Sequence, residues 1–253
     1  MNQFEIGSSQ WQGKRAYQQD SLRAQYLPEG GVFAVLADGM GGAKGGEVAS
    51  LAAVDAVFDA FDTEYADLST HLLELVGKAN NAIAREIRAN PDLDGMGTTL
   101  VIVLIRDQTL HWVSVGDSPV YLFGDQEISQ INLDESYGGH LDRRAQRGEI
   151  THAEAKADTR RHQLMNVLMG QQSLTIEDCQ DEGISLNPGD IVILASDGIQ
   201  TLSEEVICQH LLDDSLTADE LNHNLLSNVV KCDRPNQDNV SLICIRVLDE
   251  ENS

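Results

Sequence analysis

Ser21-Leu22-Arg23-Ala24-Gln25-Tyr26, Leu27-Pro28-Glu29-Gly30-Gly31 and Val32-Phe33-Ala34-Val35-Leu36-Ala37 form the stretch whose reading decides the fold. The first segment reads as a strand, the second as a turn, and the third as a buried apolar strand, which together predict a β-hairpin. Asp20 and Asp38 lie symmetrically about the turn at Glu29. They are therefore expected to be neighbours at the open end of the hairpin. Gly39-Met40-Gly41-Gly42 follows as a flexible stretch that lets backbone approach closely.

Further along, Val48, Leu51, Val54, Phe58 and Phe61 recur at helical spacing. A second helix is predicted from Ser69 or Thr70, with Leu72, Val76, Ala79, Ile83 and Ile87 on one stripe, stopping at Asn90-Pro91. Thr99 to Arg106 and Leu110 to Val115 predict a hairpin across Asp107-Gln108, extended by Val120 to Phe123 as a meander. Residues 132–170 are polar and irregular, with a short helix opened by the capping box Thr151-x-x-Glu154. Such a surface excursion often borders a binding site. Ile191 to Ala195 reads as a buried strand, helices follow from Ser203 and from Thr217-x-x-Glu220, and Val240 to Val247 reads as the last strand.

Asp38, Asp117 and Asp197 each follow the carboxyl end of an apolar strand, and Asp20 and Asp238 each precede the amino end of one. Because antiparallel neighbours run oppositely, all five can converge on one sheet edge. Singly, an Asp-Gly pair after a strand is an ordinary turn. Five carboxylates gathered together would repel one another severely, and a divalent cation resolves the conflict. Ligands that are all oxygen favour Mg²⁺, Mn²⁺ or Ca²⁺ over Zn²⁺. A site of shared aspartates with a Gly carbonyl can hold two such ions about 3.5–4 Å apart.

The composition narrows the partners. With 41 Asp and Glu against 17 Lys and Arg, the 253-residue chain carries a net charge of −24. Little remains to neutralise nucleic-acid phosphates or to bind an anionic membrane. The hydrophobic content of 42% marks a globular chain. Leu100 to Ile105 is the longest aliphatic run, and the first ten residues show no export pattern. The cysteines, Cys179, Cys208, Cys232 and Cys244, have no zinc or disulfide spacing, so a reducing cytoplasm is expected.

Arg15-x-x-x-Gln19-Asp20, Ala37-Asp38-Gly39-Met40-Gly41-Gly42, Gly97-Thr98-Thr99, Val115-Gly116-Asp117-Ser118, Ala195-Ser196-Asp197-Gly198 and Asp238-Asn239 together resemble the type 2C metal-dependent protein phosphatases, in order and spacing, from about residue 7 to 247. The resemblance, to compact bacterial members, implies an α+β fold. This is a four-layer α/β/β/α sandwich of two central antiparallel sheets flanked by helices, forming one catalytic domain over residues 1–253 with a mobile flap at about 132–170. It implies hydrolysis of phosphoserine and phosphothreonine in proteins by water bridging two metals, Mn or Mg, in a cytoplasmic monomer opposing a serine/threonine kinase. By the same resemblance Asp38 bridges the core metals, the Gly39 carbonyl binds one, and Asp197 and Asp238 complete the core. Asp20 acts mainly through water or a hydrogen bond, Asp117 with Asp197 resembles the ligands of a third ion, and Arg15 resembles the arginine that holds the substrate phosphate.

Three positions depart from the pattern: Gln19 stands where many members have Glu, Met40 where eukaryotic members have His, and Pro119 where many have Arg. Met40 cannot donate a proton to a leaving group. Positive charge concentrates in the flap at Arg143, Arg144, Arg147, Arg160 and Arg161. Arg160 and Arg161 are expected to steer or grip a phosphorylated segment, against the alternative of solvated flap charge, and the flap histidines His140, His152 and His162 are expected to be solvated. Two rival readings remain: a phosphoprotein-binding module without hydrolysis, and a phosphohydrolase for small molecules.

Overall fold

In the computed structural model, which describes residues 3–176 and 178–249, the predicted hairpin is present. Strands β1 (Phe4–Trp11), β2 (Asp20–Tyr26) and β3 (Val32–Met40) open the chain. β2 and β3 pair antiparallel from Asp20↔Asp38 to Tyr26↔Val32. β3 continues beyond Ala37, through Asp38 and Gly39, because Gly39 and Met40 find partners in the short β4 (Gly97–Thr98). Helices α1 (Gly42–Ala60) and α2 (Leu68–Ala89) follow, then β5 (Leu100–Arg106) and β6 (Thr109–Val115). Asp107 and Gln108 between them both take positive φ, as a two-residue hairpin turn requires.

The predicted meander is corrected at this point. β7 (Val120–Gly124) does not pair with β6; it crosses to a second sheet and pairs with β8 (Glu127–Gln130) and β10 (Ile191–Ala195). Gly116, at φ 104°, makes the crossing possible. Asn132 then holds the new direction, accepting from Val120 N at 2.7 Å and donating to the Ser118 carbonyl at 3.0 Å. β9 (Asp178–Ser185) and β11 (Val240–Val247) complete two antiparallel sheets, ordered β1-β11-β10-β7-β8 and β2-β3-β5-β6-β9, with β4 beside β3.

Alternation along β3 explains the layering. Val32, Ala34 and Leu36 share a core with Val192 and Leu194 of β10 and Ile243 and Ile245 of β11, between the sheets. Phe33, Val35 and Ala37 face the other way, into Ala49, Ala53 and Val57 of α1 and Leu72 and Val76 of α2. On the far side, Ile193, Leu242 and Cys244 pack against α5 (Glu204–Leu211) and α6 (Ala218–Lys231). A strand buried on both faces reads as a continuous apolar run, which is how β3, β5 and β11 read. Truncating Phe33 or Ile243 to Ala would cost about 3–5 and 2–5 kcal/mol respectively.

The helix starts follow their caps. Asp67, Ser203 and Thr217 accept from backbone N–H groups at the starts of α2, α5 and α6, and the capping boxes at Thr151 and Thr217 are both formed. Leu51, expected on the buried stripe of α1, is exposed; the contact face carries Ala49, Ala53, Val54 and Val57 instead. The flap holds a helix the periodicity did not announce, α3 (Tyr137–Gln146), before the predicted α4 (His152–Ala157). Among the described residues no helix is long and apolar enough to cross a membrane.

Candidate metal centre

The five aspartates gather at one end of the sandwich rather than along the edge of one sheet. Asp20, Asp38 and Asp117 come from the β2/β3/β6 sheet, Asp197 and Asp238 from the ends of β10 and β11. Asp38, Asp117, Asp197 and Asp238, with Arg15, line a cavity of about 910 Å³. Asp20 is buried directly opposite Asp38.

Each carboxylate is positioned by backbone held from several sides. Asp38 N donates to Thr99 Oγ1 at 2.9 Å, and its carbonyl accepts from Thr99 N and Thr98 Oγ1, both at 2.9 Å. Gly39 N donates to the Gln19 carbonyl at 3.1 Å, which Ser50 Oγ of α1 also reaches at 2.6 Å. A Cβ at Gly39 would collide with the Gln19 and Gly46 backbones, so only glycine permits this approach. Asp20 Oδ2 accepts from Ser241 Oγ at 2.7 Å, a bond that stitches β2 to β11 across the sandwich. Asn239 Oδ1 accepts from Gln19 N at 2.9 Å while its amide donates to the carbonyls of Gln12 and Tyr17, fixing the loop that carries Arg15. Asp117 sits on a turn closed by Glu135, whose Oε2 accepts from Gly116 N at 2.7 Å and whose own N–H donates to the Gly116 carbonyl at 3.1 Å.

The electrostatics are unfavourable for the cluster alone. Burial, followed by the charges of Asp20, Asp197, Asp117 and Asp238, raises the Asp38 carboxyl well above its usual range. Burial and then neighbouring aspartates push Asp197 to about 7, and burial and then Asp134 push Asp117 to about 6. Burial also raises Asp20, against the hydrogen bonds from Ser241 and Ser196. Asp20 Oδ1 and Asp197 Oδ1 are buried without a hydrogen-bond partner. Among the described residues, no three His, Cys, Asp or Glu side chains are drawn in closely enough to form a coordination shell as they stand. Arg15 Nη2 holds Asp238 Oδ2 at 2.6 Å. The two orphaned carboxylate oxygens and the all-oxygen donor set fit a hard divalent cation.

The flap arginines lie elsewhere. Arg160 bonds Asp158 Oδ2 at 2.7 Å and stacks over the Tyr137 ring, while Arg161 forks onto Asp142 at 2.6 and 3.1 Å and onto the Ala155 carbonyl. Neither lines the 910 Å³ cavity; the flap reaches it with His162, Gln163, Leu164, Val167 and Met169. His162 lines the cleft and is exposed there, in keeping with its expected place in solvent. Thr99, Ser241, Glu135 and Asn239 escaped the sequence reading as positioning residues. Asn239 carried a signal in its adjacency to Asp238, and Thr99 in the motif Gly97-Thr98-Thr99; Ser241 and Glu135 carried none.

A two-sheet sandwich with a carboxylate cluster and an arginine at its mouth defines the class of hydrolases that work on phosphate esters with hard cations. Residues 7–242 match the protein phosphatase 2C family, and the chain belongs to that family. It is 34% identical over 240 residues to the serine/threonine protein phosphatase PstP of Mycobacterium tuberculosis, covering 93% of this chain but 43% of that protein's length. It is 30% identical to the serine/threonine phosphatase stp of Listeria monocytogenes, over 79% of this chain and 82% of the relative. The crystal structure of M. tuberculosis PstP superposes with a TM-score of 0.80 at 31% identity, covering 97% of this chain and 99% of that one. The PstP catalytic domain in complex with two manganese ions superposes with a TM-score of 0.78 at 32% identity, over 97% and 99% of the two chains.

Proposed function

We propose that this protein is a metal-dependent phosphatase that hydrolyses phosphoserine and phosphothreonine in proteins, opposing a serine/threonine kinase. The observation that carries the reading is the meeting of Asp38, Asp117, Asp197, Asp238 and Arg15 around one cavity in a chain of this family. Asp38, the Gly39 carbonyl, Asp197 and Asp238 would hold two Mn²⁺ or Mg²⁺ ions, as two manganese ions accompany the related PstP domain. Asp20 would act from behind through its Ser241-bound carboxylate, and Asp117 with Asp197 would serve a third ion. When bound, such cations supply a hydroxide nucleophile at neutral pH and neutralise charge on the phosphoryl oxygens.

The chain's own groups do the rest. Arg15 commits one donor to Asp238 and is otherwise exposed at the cavity, so its fork can take two phosphoryl oxygens. Asp38 is held by Thr98 and Thr99 through backbone bonds, so its carboxylate needs little reorganisation during the reaction. Met40 stands exposed at the cavity and has no proton to give. A substrate grip by Arg160 and Arg161 would require their pairs with Asp158 and Asp142 to open. The free thiols of Cys179, Cys208, Cys232 and Cys244 suit a reducing cytoplasm, where the protein would act as a monomer.

The test is Mn²⁺-dependent phosphate release from phosphothreonine peptides, phosphotyrosine peptides and sugar phosphates, with EDTA as control. Turnover confined to phosphothreonine and phosphoserine peptides is expected. Preference for sugar phosphates would replace the reading with a small-molecule phosphohydrolase, and binding without turnover would leave a recognition module.

A further inference from the structure

Beside the 910 Å³ cavity lies a second one of about 450 Å³, and the two share His162, Asp197 and Asp238 as a common wall. The far side of the second chamber is built by Gln200, Thr201, Arg234, Pro235, Asn236 and Gln237. That loop is fixed in place. Gln237 accepts from Thr201 Oγ1 at 2.7 Å and donates to the Gly198 carbonyl at 3.1 Å, and its carbonyl receives Lys14 N at 2.9 Å. Lys14 also pairs with Asp233 at 3.2 Å, immediately before Arg234.

Arg234 is the arginine of the second chamber's lining, as Arg15, paired with Asp238, is of the larger cavity's. Among the described residues the Arg234 guanidinium has no ion-pair partner, in a chain where acids outnumber Lys and Arg by 41 to 17. Exposed on an anchored loop, and lining a chamber that shares Asp197 and Asp238 with the reaction cavity, Arg234 is placed to meet an anion from outside.

We propose that the second chamber is a substrate subsite for the residue beside the phosphorylated one, in which Arg234 selects an anionic side chain, either a carboxylate or a second phosphate. The inference rests on the protein-phosphatase reading above. The shared Asp197 and Asp238 wall is negative by itself, so the selection operates when cations occupy the core. Geometry favours a flanking residue over the scissile phosphate, because Asp38 and Asp117 line only the larger cavity.

Phosphothreonine peptides with Ala, Asp, Lys or a second phosphothreonine at each flanking position, assayed with Mn²⁺, test it. The expected result is a kcat/KM about three- to tenfold higher for an anionic flank than for Ala, a ratio that falls to about one in Arg234→Ala and inverts toward Lys in Arg234→Glu. The Asp and phosphothreonine arms show which anion the site prefers. Equal turnover of all flanks by the wild-type protein, or an unchanged ratio in Arg234→Ala, overturns the inference alone. Loss of turnover on every phosphopeptide, with p-nitrophenyl phosphate still hydrolysed, overturns the protein-phosphatase reading and the inference together.

Discussion

The carboxylate end of the sandwich and the flap above it are built on opposite principles. At the sheet ends, the backbone that carries the charged residues is itself pinned: Asp38 by Thr98 and Thr99, and the neighbouring Gly39 by the Gln19 carbonyl. In the flap, charged residues are held by each other. Arg144 and Arg147 both pair with Glu149, Arg160 with Asp158, and Arg161 with Asp142. The flap meets the core at the bridge Thr98↔Leu168, at Gly170 N on Asn80 Oδ1, at Leu133 N on Asp178 Oδ2 and through the Glu135 contacts with Gly116. Backbone bonds hold the segment that carries Asp38, while ion pairs of about 0–1 kcal/mol link much of the charge in the flap.

The sharpest way to break this contrast is at the sheet ends. Asp38→Asn and Asp238→Asn should each lower kcat/KM by about 10³-fold or more, since cation binding supplies several kcal/mol of transition-state stabilisation. Their circular dichroism and melting should remain those of a folded protein. Substantial turnover by either variant at saturating Mn²⁺ would refute the assignment.

A second test uses protons in place of mutations. Asp197 and Asp117 have pKa values of about 7 and 6 in the fold against an ordinary 3.8. Between pH 4 and 7 the metal-free folded state therefore holds more protons at these groups than the unfolded chain does. Their contribution to stability is complete below about pH 4 and is lost as pH rises through 6 and 7. Urea midpoints measured in EDTA should fall across that window, Asp197→Asn should flatten the fall, and Mn²⁺ should restore the midpoint at pH 7. A midpoint that rises with pH equally in both proteins would contradict the mutual repulsion.

Effects in the flap should be smaller. Arg161→Ala removes a fork onto Asp142 that is partly screened by solvent, so it should loosen the flap by about 1 kcal/mol or less and speed amide exchange between α3 and α4 without lowering global stability comparably. Arg160→Ala should act more weakly still. If the pair instead grips substrate, the double variant will raise KM for a phosphoprotein more than for an aryl phosphate; equal effects place both arginines in flap structure alone.

Legibility in the sequence follows the same division. Strand ends were readable because an aspartate next to an apolar run has only one place to go, and the Asp20↔Asp38 pairing could be counted off the turn at Glu29. Caps at Thr151 and Thr217 were equally local. The crossing of β7 was not readable, since a Gly-Asp-Ser turn is compatible with staying in one sheet or leaving it, and Asn132 decides from twelve residues away. The fates of Arg160 and Arg161 were hidden for a similar reason: both are arginines in one polar, irregular segment. Their partners come from the folding of α3 and α4 against each other.

The sequence by itself determined the apolar strands β2, β3, β5, β6, β7, β10 and β11 but not β1, β4, β8 and β9, together with most helix starts and the identity of the carboxylates, because hydrophobic alternation, capping and charge are carried by neighbouring residues. Only the tertiary structure decided that two sheets rather than one supply the cluster, that Arg15 rests on Asp238, and that Arg234 lines a chamber beside it. Those outcomes depend on contacts between residues up to 223 positions apart. Packing, rather than local pattern, selects among such pairings.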